Sequence, residues 1–105
     1  MADPMRIRAN KVGPLVDVKV VMAHAMENGL RKDANGIDIP AHFIQNVLVE
    51  HNGRTVLSAQ WGPSVSRNPF LHFRFRGGNP GEKITITWTD DKGDRRTDQA
   101  TIAGP

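Results

Sequence analysis

Apolar residues recur at every second position along most of this sequence, which is the period of a half-buried β-strand rather than of a helix. The alternation is clearest around Val16, Val18 and Val20, and it returns around Phe73 and Ile86. No stretch repeats apolar residues with the helical period of about 3.6. The segments with the strand pattern are 5–9, 15–24, 42–51, 55–61, 70–76, 83–90 and 94–102. The pattern therefore predicts seven short strands, with the first at the edge of a sheet.

Turn-forming residues separate the predicted strands. Asn52-Gly53 predicts a two-residue hairpin, because both residues accept the positive φ angles that such a turn requires. The segment 91–93 predicts a second hairpin, in which Asp90 and its neighbouring aspartates accept hydrogen bonds from backbone amides. Residues 25–40 are predicted to form a loop or hairpin. Seven strands joined in this way predict an all-β, immunoglobulin-like antiparallel sandwich, with a small open barrel as the alternative.

The composition sets the size and class of the protein. The chain has 105 residues, of which 38% are apolar, and this predicts a single domain with one core over residues 1–105. Its longest unbroken apolar run, residues 20–23, is too short for a membrane helix or for the core of a signal peptide. We therefore expect no membrane partner and no export signal in this sequence.

The formal net charge of +3 is modest, and the 14 basic residues are interspersed with 11 acidic ones. A surface that follows nucleic-acid phosphates needs massed basic residues, so no nucleic-acid partner is predicted. A basic sheet face is an alternative that would suit an anionic ligand, an acidic patch of a partner or single-stranded nucleic acid. Its candidates, on what the pattern makes neighbouring strands, are His72, Arg74, Arg76, Arg95 and Arg96.

The chemistry available to the side chains is limited. The sequence contains no cysteine, which excludes disulfides, thiolate metal sites and cysteine nucleophiles within it. Its serines stand in no nucleophile motif, and we predict no cofactor. Met22, His24 and Met26 alternate in a way that suits copper if one strand runs through all three, although Met22 is more simply a core residue. No metal-binding spacing occurs among the histidines, which we expect to lie at the surface or to be hydrogen bonded; they are His24, His42, His51 and His72.

Several longer motifs resemble the SoxZ family. They are His51-Asn-Gly-Arg-Thr-Val-Leu-Ser-Ala-Gln-Trp-Gly-Pro63, Ser66-Arg-Asn-Pro-Phe70, Gly29-Leu-Arg-Lys-Asp33, Ile39-Pro-Ala-His-Phe-Ile-Gln45 and Lys92-Gly-Asp-Arg-Arg-Thr-Asp98. The resemblance covers nearly the whole chain. It implies an immunoglobulin-like sandwich, in agreement with the strand pattern.

The resemblance also implies a carrier role rather than catalysis. SoxZ is the smaller subunit of the SoxYZ complex of bacterial thiosulfate oxidation, in which SoxY holds the sulfur intermediate on a cysteine at the end of a C-terminal arm. The chain is then expected to scaffold SoxY in a heterodimer, to help dock other Sox enzymes transiently, and to be capable of self-association in isolation. A periplasmic location is implied as well, reached by co-export on the twin-arginine signal of SoxY.

Two sets of contact residues follow from this interpretation. Apolar residues are candidates for the permanent interface with SoxY, because obligate interfaces resemble a protein core; they are Met22, Met26, Leu30, Phe43 and Trp61. Cationic residues are candidates for transient docking, since charges at an interface rim act mainly on association rates; they are Arg31, Lys32, Arg67 and Arg74. The alternative function is a small β-sandwich protein that binds a metal ion or an anionic ligand.

Overall fold

The computed structural model describes residues 2–104, and every regular element in that range is a β-strand. The strands are β1 (Arg6–Val12), β2 (Leu15–Val21), β3 (Ile44–His51), β4 (Arg54–Gln60), β5 (Phe70–Arg76), β6 (Lys83–Asp90) and β7 (Arg95–Thr101). They form an antiparallel three-stranded sheet in the order β1-β2-β5 and an antiparallel four-stranded sheet in the order β4-β3-β6-β7. The predicted seven-stranded sandwich is confirmed, and β1 is an edge strand as expected. Among the described residues, no helix has the length and apolar character needed to cross a membrane.

The core lies between the inner faces of the two sheets. It is built from alternate residues of the central strands, because successive side chains of a strand point to opposite faces of the sheet. Its central members, none more than 1% exposed, are Val16, Val18, Val20, Val47, Val49, Ile84, Ile86 and Trp88. Burying each aliphatic side chain contributes about 1.5–3 kcal/mol, which is the main force that holds the two sheets together.

The two lateral edges of the sandwich differ. At one edge β1 lies against β7, and Ala103 bridges the sheets through backbone hydrogen bonds of 2.9 Å with Ala9 and Lys11. At the other edge β4 and β5 end their respective sheets without pairing to each other. Apolar side chains there are only partly buried against the core, and we call them the open edge: Leu57, Ala59, Trp61, Leu71 and Phe73.

The turns follow the local sequence closely. Asn52 and Gly53 have φ angles of 49° and 75° and connect the paired residues His51 and Arg54, so the predicted two-residue hairpin is confirmed. The segment 91–93 also forms a tight turn between two strands, as predicted.

The segment 22–43 departs from the strand pattern. The sequence pattern predicts that β2 runs to residue 24 and that β3 begins at residue 42, but β2 ends at Val21 and β3 begins at Ile44. Met26 has a φ of 49°, which no strand tolerates. The segment is instead an irregular excursion whose two arms meet in an isolated bridge between Glu27 and His42. The expected loop or hairpin over residues 25–40 therefore has the character of an irregular hairpin.

Candidate functional site

Two histidines and two aspartates meet at one end of the sandwich. His24 follows the end of β2, His42 precedes β3, Asp90 is the last residue of β6 and Asp91 begins the turn to β7. The sheet order brings these segments together although His24 and Asp90 are 66 residues apart along the chain. We call this group the histidine–aspartate cluster.

The cluster is held by short polar contacts. His24 Nε2 lies 3.0 Å from Asp90 Oδ2, and His42 Nδ1 lies 3.0 Å from Asp91 Oδ1. His42 Nε2 is also 3.6 Å from Asp90 Oδ2, and the two imidazole rings are 4.6 Å apart. His24 and Asp90 are buried, whereas the side chains of His42 and Asp91 remain partly accessible.

Hydrogen bonds from backbone amides position the two carboxylates. Asp90 Oδ1 accepts hydrogen bonds from the amides of Lys92 (2.9 Å) and Asp94 (3.0 Å), which is the turn role predicted for Asp90. Asp91 Oδ1 accepts one from the amide of Phe43 at 2.9 Å. Asp90 therefore serves both its own turn and a histidine from another segment, whereas Asp91 binds an amide and a histidine of the segment that precedes β3.

The protonation of His24 follows from its surroundings. The amide N–H of Met26 donates to His24 Nδ1 over 3.0 Å, so this ring nitrogen must carry a lone pair. The neutral ring then carries its proton on Nε2, where it donates to Asp90 Oδ2. All the polar atoms of His24 are thereby satisfied, because its backbone also exchanges hydrogen bonds with Asn68.

The hydrogen bonds favour the charged forms of the aspartates. Burial works against the charged form of Asp90, but the hydrogen bonds from His24 and from the two turn amides outweigh it and hold the pKa below its ordinary value. The pKa of Asp91 is lowered in the same way: burial opposes ionisation, and hydrogen bonds from His42 and the Phe43 amide prevail.

The atoms of the cluster are spaced like the ligands of a metal site, but the position of the proton on His24 does not suit a metal ion. Ligand atoms of His24, His42 and Asp90 all lie within 4.8 Å of one another, which one zinc or copper ion could span. A metal at His24 Nε2 would have to displace the proton that Met26 places there, whereas ligating histidines usually donate their other N–H to an acceptor. The geometry therefore favours a hydrogen-bonded connector between three segments of the chain.

The copper alternative involving Met22, His24 and Met26 is wrong in its premise of a shared strand face. Met22 is fully buried in the core, and the strand ends before His24. The sulfur of Met26 accepts a hydrogen bond from the amide of Ile44 at 3.3 Å.

We expect one equivalent of Zn²⁺ or Cu²⁺ to leave the Tm of the purified chain unchanged within about 1 °C, since only a ligand that binds the folded state raises it. Differential scanning calorimetry with and without the ion measures this. A rise in Tm that saturates at one equivalent, and that His42→Ala abolishes, would contradict the connector interpretation.

A cavity of about 510 Å³ opens beside the cluster. Besides the histidines and Asp90, its lining includes Arg67, Asn68 and Trp88. The indole of Trp88 is buried and meets the His24 ring edge-on, with the ring centroids 5.2 Å apart. The cavity thus has polar walls over an aromatic floor.

Every histidine of the chain is paired with a carboxylate. Besides the two in the cluster, His51 Nε2 lies 2.9 Å from Glu82 and His72 Nε2 lies 2.7 Å from Asp17. The histidines were expected to lie at the surface or to be hydrogen bonded, and all four are hydrogen bonded. His51 is also buried. Sequence reasoning missed these pairs because the partners lie between 31 and 66 residues apart.

The structure separates the residues predicted for the permanent interface into two groups. Met22 and Met26 are 0% and 6% exposed, so their side chains belong to the core of this chain, and we remove them from the predicted interface. Leu30 is 85% exposed, and Phe43 and Trp61 are partly buried against the core. For these three residues the interface stays a prediction.

The cations predicted for transient docking lie on different parts of the fold. Arg31 and Lys32 project from the irregular excursion and already pair with Glu27 (2.6 Å) and Asp38 (2.5 Å). Docking by Arg31 and Lys32 therefore stays a prediction. The other two members of the set are Arg67, beside the cavity, and Arg74, on β5.

The expected basic face is wrong in its membership. Arg74 and Arg76 belong to the three-stranded sheet, whereas Arg95 and Arg96 are on β7 in the other sheet. Arg96 also pairs with Asp98 at 2.8 Å. Strands that are close along the chain, such as β5 and β7, do not have to belong to the same sheet, so sequence order alone could not place these residues.

The sequence and the fold of this chain are similar to different groups of known proteins. Residues 5–101 match the sequence profile of the family described as "Sulphur oxidation protein SoxZ". No curated protein matches the chain. Two similar solved structures are a superoxide reductase in the oxidized state and a superoxide reductase (neelaredoxin) from Archaeoglobus fulgidus in the reduced form.

The structural likeness concerns the fold alone. The first superoxide reductase has a TM-score of 0.64 and 15% identity, over 95% of this chain and 87% of that one. The second has a TM-score of 0.53 and 17% identity, over 95% of this chain and 86% of that one. At such low identity the likeness carries no reaction over to this protein.

Proposed function

The chain belongs to the SoxZ family of sulphur oxidation proteins, and from this premise we propose that it is the non-catalytic subunit of a SoxYZ carrier in thiosulfate oxidation. In this role it holds SoxY in a heterodimer and helps to present the SoxY cysteine to the enzymes that act on the bound sulfur. The family match over residues 5–101 is the observation that carries the proposal.

The residue types of the chain support a role without covalent chemistry. Sulfur intermediates of this kind form on a thiolate, and the sequence contains no cysteine. The polar cluster at the end of the sandwich is satisfied internally, with each aspartate bonded to a histidine and to backbone amides. The covalent step therefore falls to the partner, and this chain contributes shape and surface.

We place the SoxY interface at the open edge. β4 and β5 both end their sheets there, so a partner can cover the partly buried side chains of Trp61, Leu71 and Phe73. A surface of this kind, continuous with the core of one subunit, has the character of an obligate interface. Trp61 is the anchor we favour, because large aromatic residues dominate interface energies.

Trp61→Ala should weaken the binding of SoxY by at least about 30-fold, because truncating an aromatic anchor commonly costs 2 kcal/mol or more. Titration of the purified chain onto immobilised SoxY measures the dissociation constant. Val12→Ala is the matched control, since Val12 is 50% exposed and lies on β1, at the edge of the sandwich away from β4 and β5. Equal affinities for the two variants, with both folded by circular dichroism, would move the interface away from the open edge.

We further propose that the chain reaches the periplasm by co-export with SoxY, which requires the heterodimer to form before transport. Cell fractionation tests this with SoxY present, with SoxY deleted, and with SoxY lacking its twin-arginine motif. The chain should appear in the periplasm only in the first case. Periplasmic accumulation without SoxY would contradict co-export and leave the heterodimer itself untouched.

A further inference from the structure

The outer face of the three-stranded sheet concentrates positive charge. Strand register places its outward side chains in rows across β1, β2 and β5. The rows are Arg6–Val21–Phe70, Arg8–Lys19–His72, Asn10–Asp17–Arg74 and Val12–Leu15–Arg76. Five cations and one carboxylate give this basic face a net charge of +4, compared with +3 for the whole chain. The remainder of the protein is therefore slightly negative.

The arrangement of charges on the basic face lowers the stability of the fold. Arg8 stands directly opposite Lys19 on the neighbouring strand, and like charges in this position destabilise a sheet. Within residues 2–104, the structure places no carboxylate in an ion pair with Arg6, Arg8 or Lys19. The carboxylate of the face, Asp17, is already bonded to Arg74 and His72 at 2.7 Å.

Apolar surface accompanies these unpaired cations. Val21 is 40% exposed and Phe70 is 62% exposed, and both lie in the row that begins with Arg6. A shallow depression of about 310 Å³ next to them is lined by Arg6, Ile7, Arg8, Lys19 and Val21. An exposed aromatic residue beside cations is the composition of a protein-binding surface. Single-stranded nucleic acid would require a series of stacking aromatics, and Phe70 is the single aromatic ring other than His72 in these rows.

We infer that the basic face is a docking surface for an acidic protein partner, with aspartate and glutamate side chains of that partner pairing with Arg6, Arg8 and Lys19 and an apolar residue contacting Phe70. The inference rests on the proposed function in one respect, since it identifies the chemistry by which visiting proteins recognise the carrier. Of the cations predicted for transient docking, Arg74 lies on this face, whereas Arg31, Lys32 and Arg67 lie elsewhere.

The basic face is suited to short-lived contacts with a partner. Attraction between opposite net charges raises the association rate without requiring a large buried area. An open rim of exposed cations exchanges its partners quickly, because solvent and salt screen each pair. The basic face consists of outward side chains of β1, β2 and β5, whereas the open edge consists of side chains on or next to β4 and β5 that are partly buried against the core. A partner seated on the outer face therefore leaves the proposed SoxY interface available.

The test uses a fluorescein-labelled oligoglutamate peptide that contains one phenylalanine, with binding followed by fluorescence anisotropy. We expect the affinity to fall steeply with salt and to fall by about tenfold or more in Arg8→Glu. The matched control is Arg95→Glu, which changes the net charge equally on the other sheet and should bind within about twofold of the wild type. The same Arg8→Glu substitution should raise the Tm by about 2–5 °C, because it converts a repulsive cross-strand pair into an attractive one.

Several results would overturn the inference. Equal loss of peptide affinity in Arg8→Glu and Arg95→Glu would show an effect of net charge alone. Tighter binding of a single-stranded oligonucleotide, or of vesicles rich in phosphatidylserine, than of the peptide at the same salt concentration would assign the face to another class of partner.

Its failure can be told apart from failure of the proposed function. SoxY should bind Arg8→Glu with wild-type affinity. If wild-type chain fails to bind SoxY while the peptide results hold, the heterodimer proposal is lost and the docking surface remains. If SoxY binds but the peptide does not, the docking surface alone is lost.

Discussion

Asp90→Asn should destabilise the chain by about 2–3 kcal/mol and lower its Tm by about 10–20 °C. An asparagine keeps an oxygen for the amides of Lys92 and Asp94, but its Nδ2 group would face the Nε2–H of His24, so that two donors meet in a buried site. His24 could avoid the conflict only by changing tautomer, which would break its bond to the amide of Met26. Calorimetry of the two proteins at neutral pH measures the effect.

Asp33→Asn is the matched control for this substitution. Asp33 Oδ1 also accepts two turn amides, those of Asn35 and Ile37, at 2.8 and 3.0 Å, but it is exposed and faces no histidine. Its replacement should change stability by no more than about 0.5 kcal/mol. A double-mutant cycle of Asp90→Asn with His24→Leu should show a coupling of about 1–3 kcal/mol. Additive effects would mean that the turn amides, and not His24, determine the cost.

The lowered pKa of Asp90 also predicts how the stability of the fold changes at acid pH. The folded pKa of Asp90 lies below its ordinary value, so the folded state favours the ionised form. Its stabilisation is complete above the ordinary value of about 3.9 and is lost as the pH falls through the lower folded pKa. Wild-type stability should therefore fall below about pH 4, and Asp90→Asn should show a shallower fall. Parallel pH curves for the two proteins would contradict this assignment.

Gly78→Ala should destabilise the chain by about 1–3 kcal/mol, because the new methyl group would enter a filled part of the core. A Cβ at this position would lie 2.6 Å from Val16 Cγ2 and 3.0 Å from Ile102 Cδ1. Both neighbours are at most 1% exposed, so neither can move aside without disturbing the core. Urea unfolding at constant m-value measures the loss.

Gly62→Ala is its matched control. Apart from its two chain neighbours, nothing would lie within 4 Å of a Cβ at Gly62, and the backbone there has no positive φ. This substitution should leave stability unchanged or raise it by up to about 1 kcal/mol, since alanine restricts the unfolded chain more than glycine does. Equal losses in the two variants would show that backbone freedom, and not packing, explains the effect at Gly78.

The turns show how much of this fold local sequence can predict. The Asn52-Gly53 hairpin and the role of Asp90 in its turn depend on residues within four positions of each other. Their conformations follow from positive φ and from short side-chain to backbone bonds, both of which are properties of the local chain. The irregular excursion differs because Met26 adopts a φ of 49° that is unusual for its residue type.

The predicted site residues show where such reasoning stops. Met22 and Met26 have the apolar character expected of an interface, yet both are buried within the chain. Side-chain type separates apolar from polar surroundings, but it does not distinguish a core from a surface that a partner covers. Trp61, at the open edge, is the member of that set on which the proposed interface now depends.

The sequence by itself determined the number of strands, the turns at residues 52–53 and 91–93 and the absence of thiol chemistry, because each of these depends on composition or on residues close together along the chain. Its motifs, taken over nearly the whole chain, also indicated the SoxZ family. Only the tertiary structure decided which strands share a sheet. That order brought His24 to Asp90 and Arg8 to the same face as Arg74, and it removed Arg95 from that face. The physical reason is that alternating apolar residues specify which side of a strand is buried but leave its neighbours open until the whole core is packed.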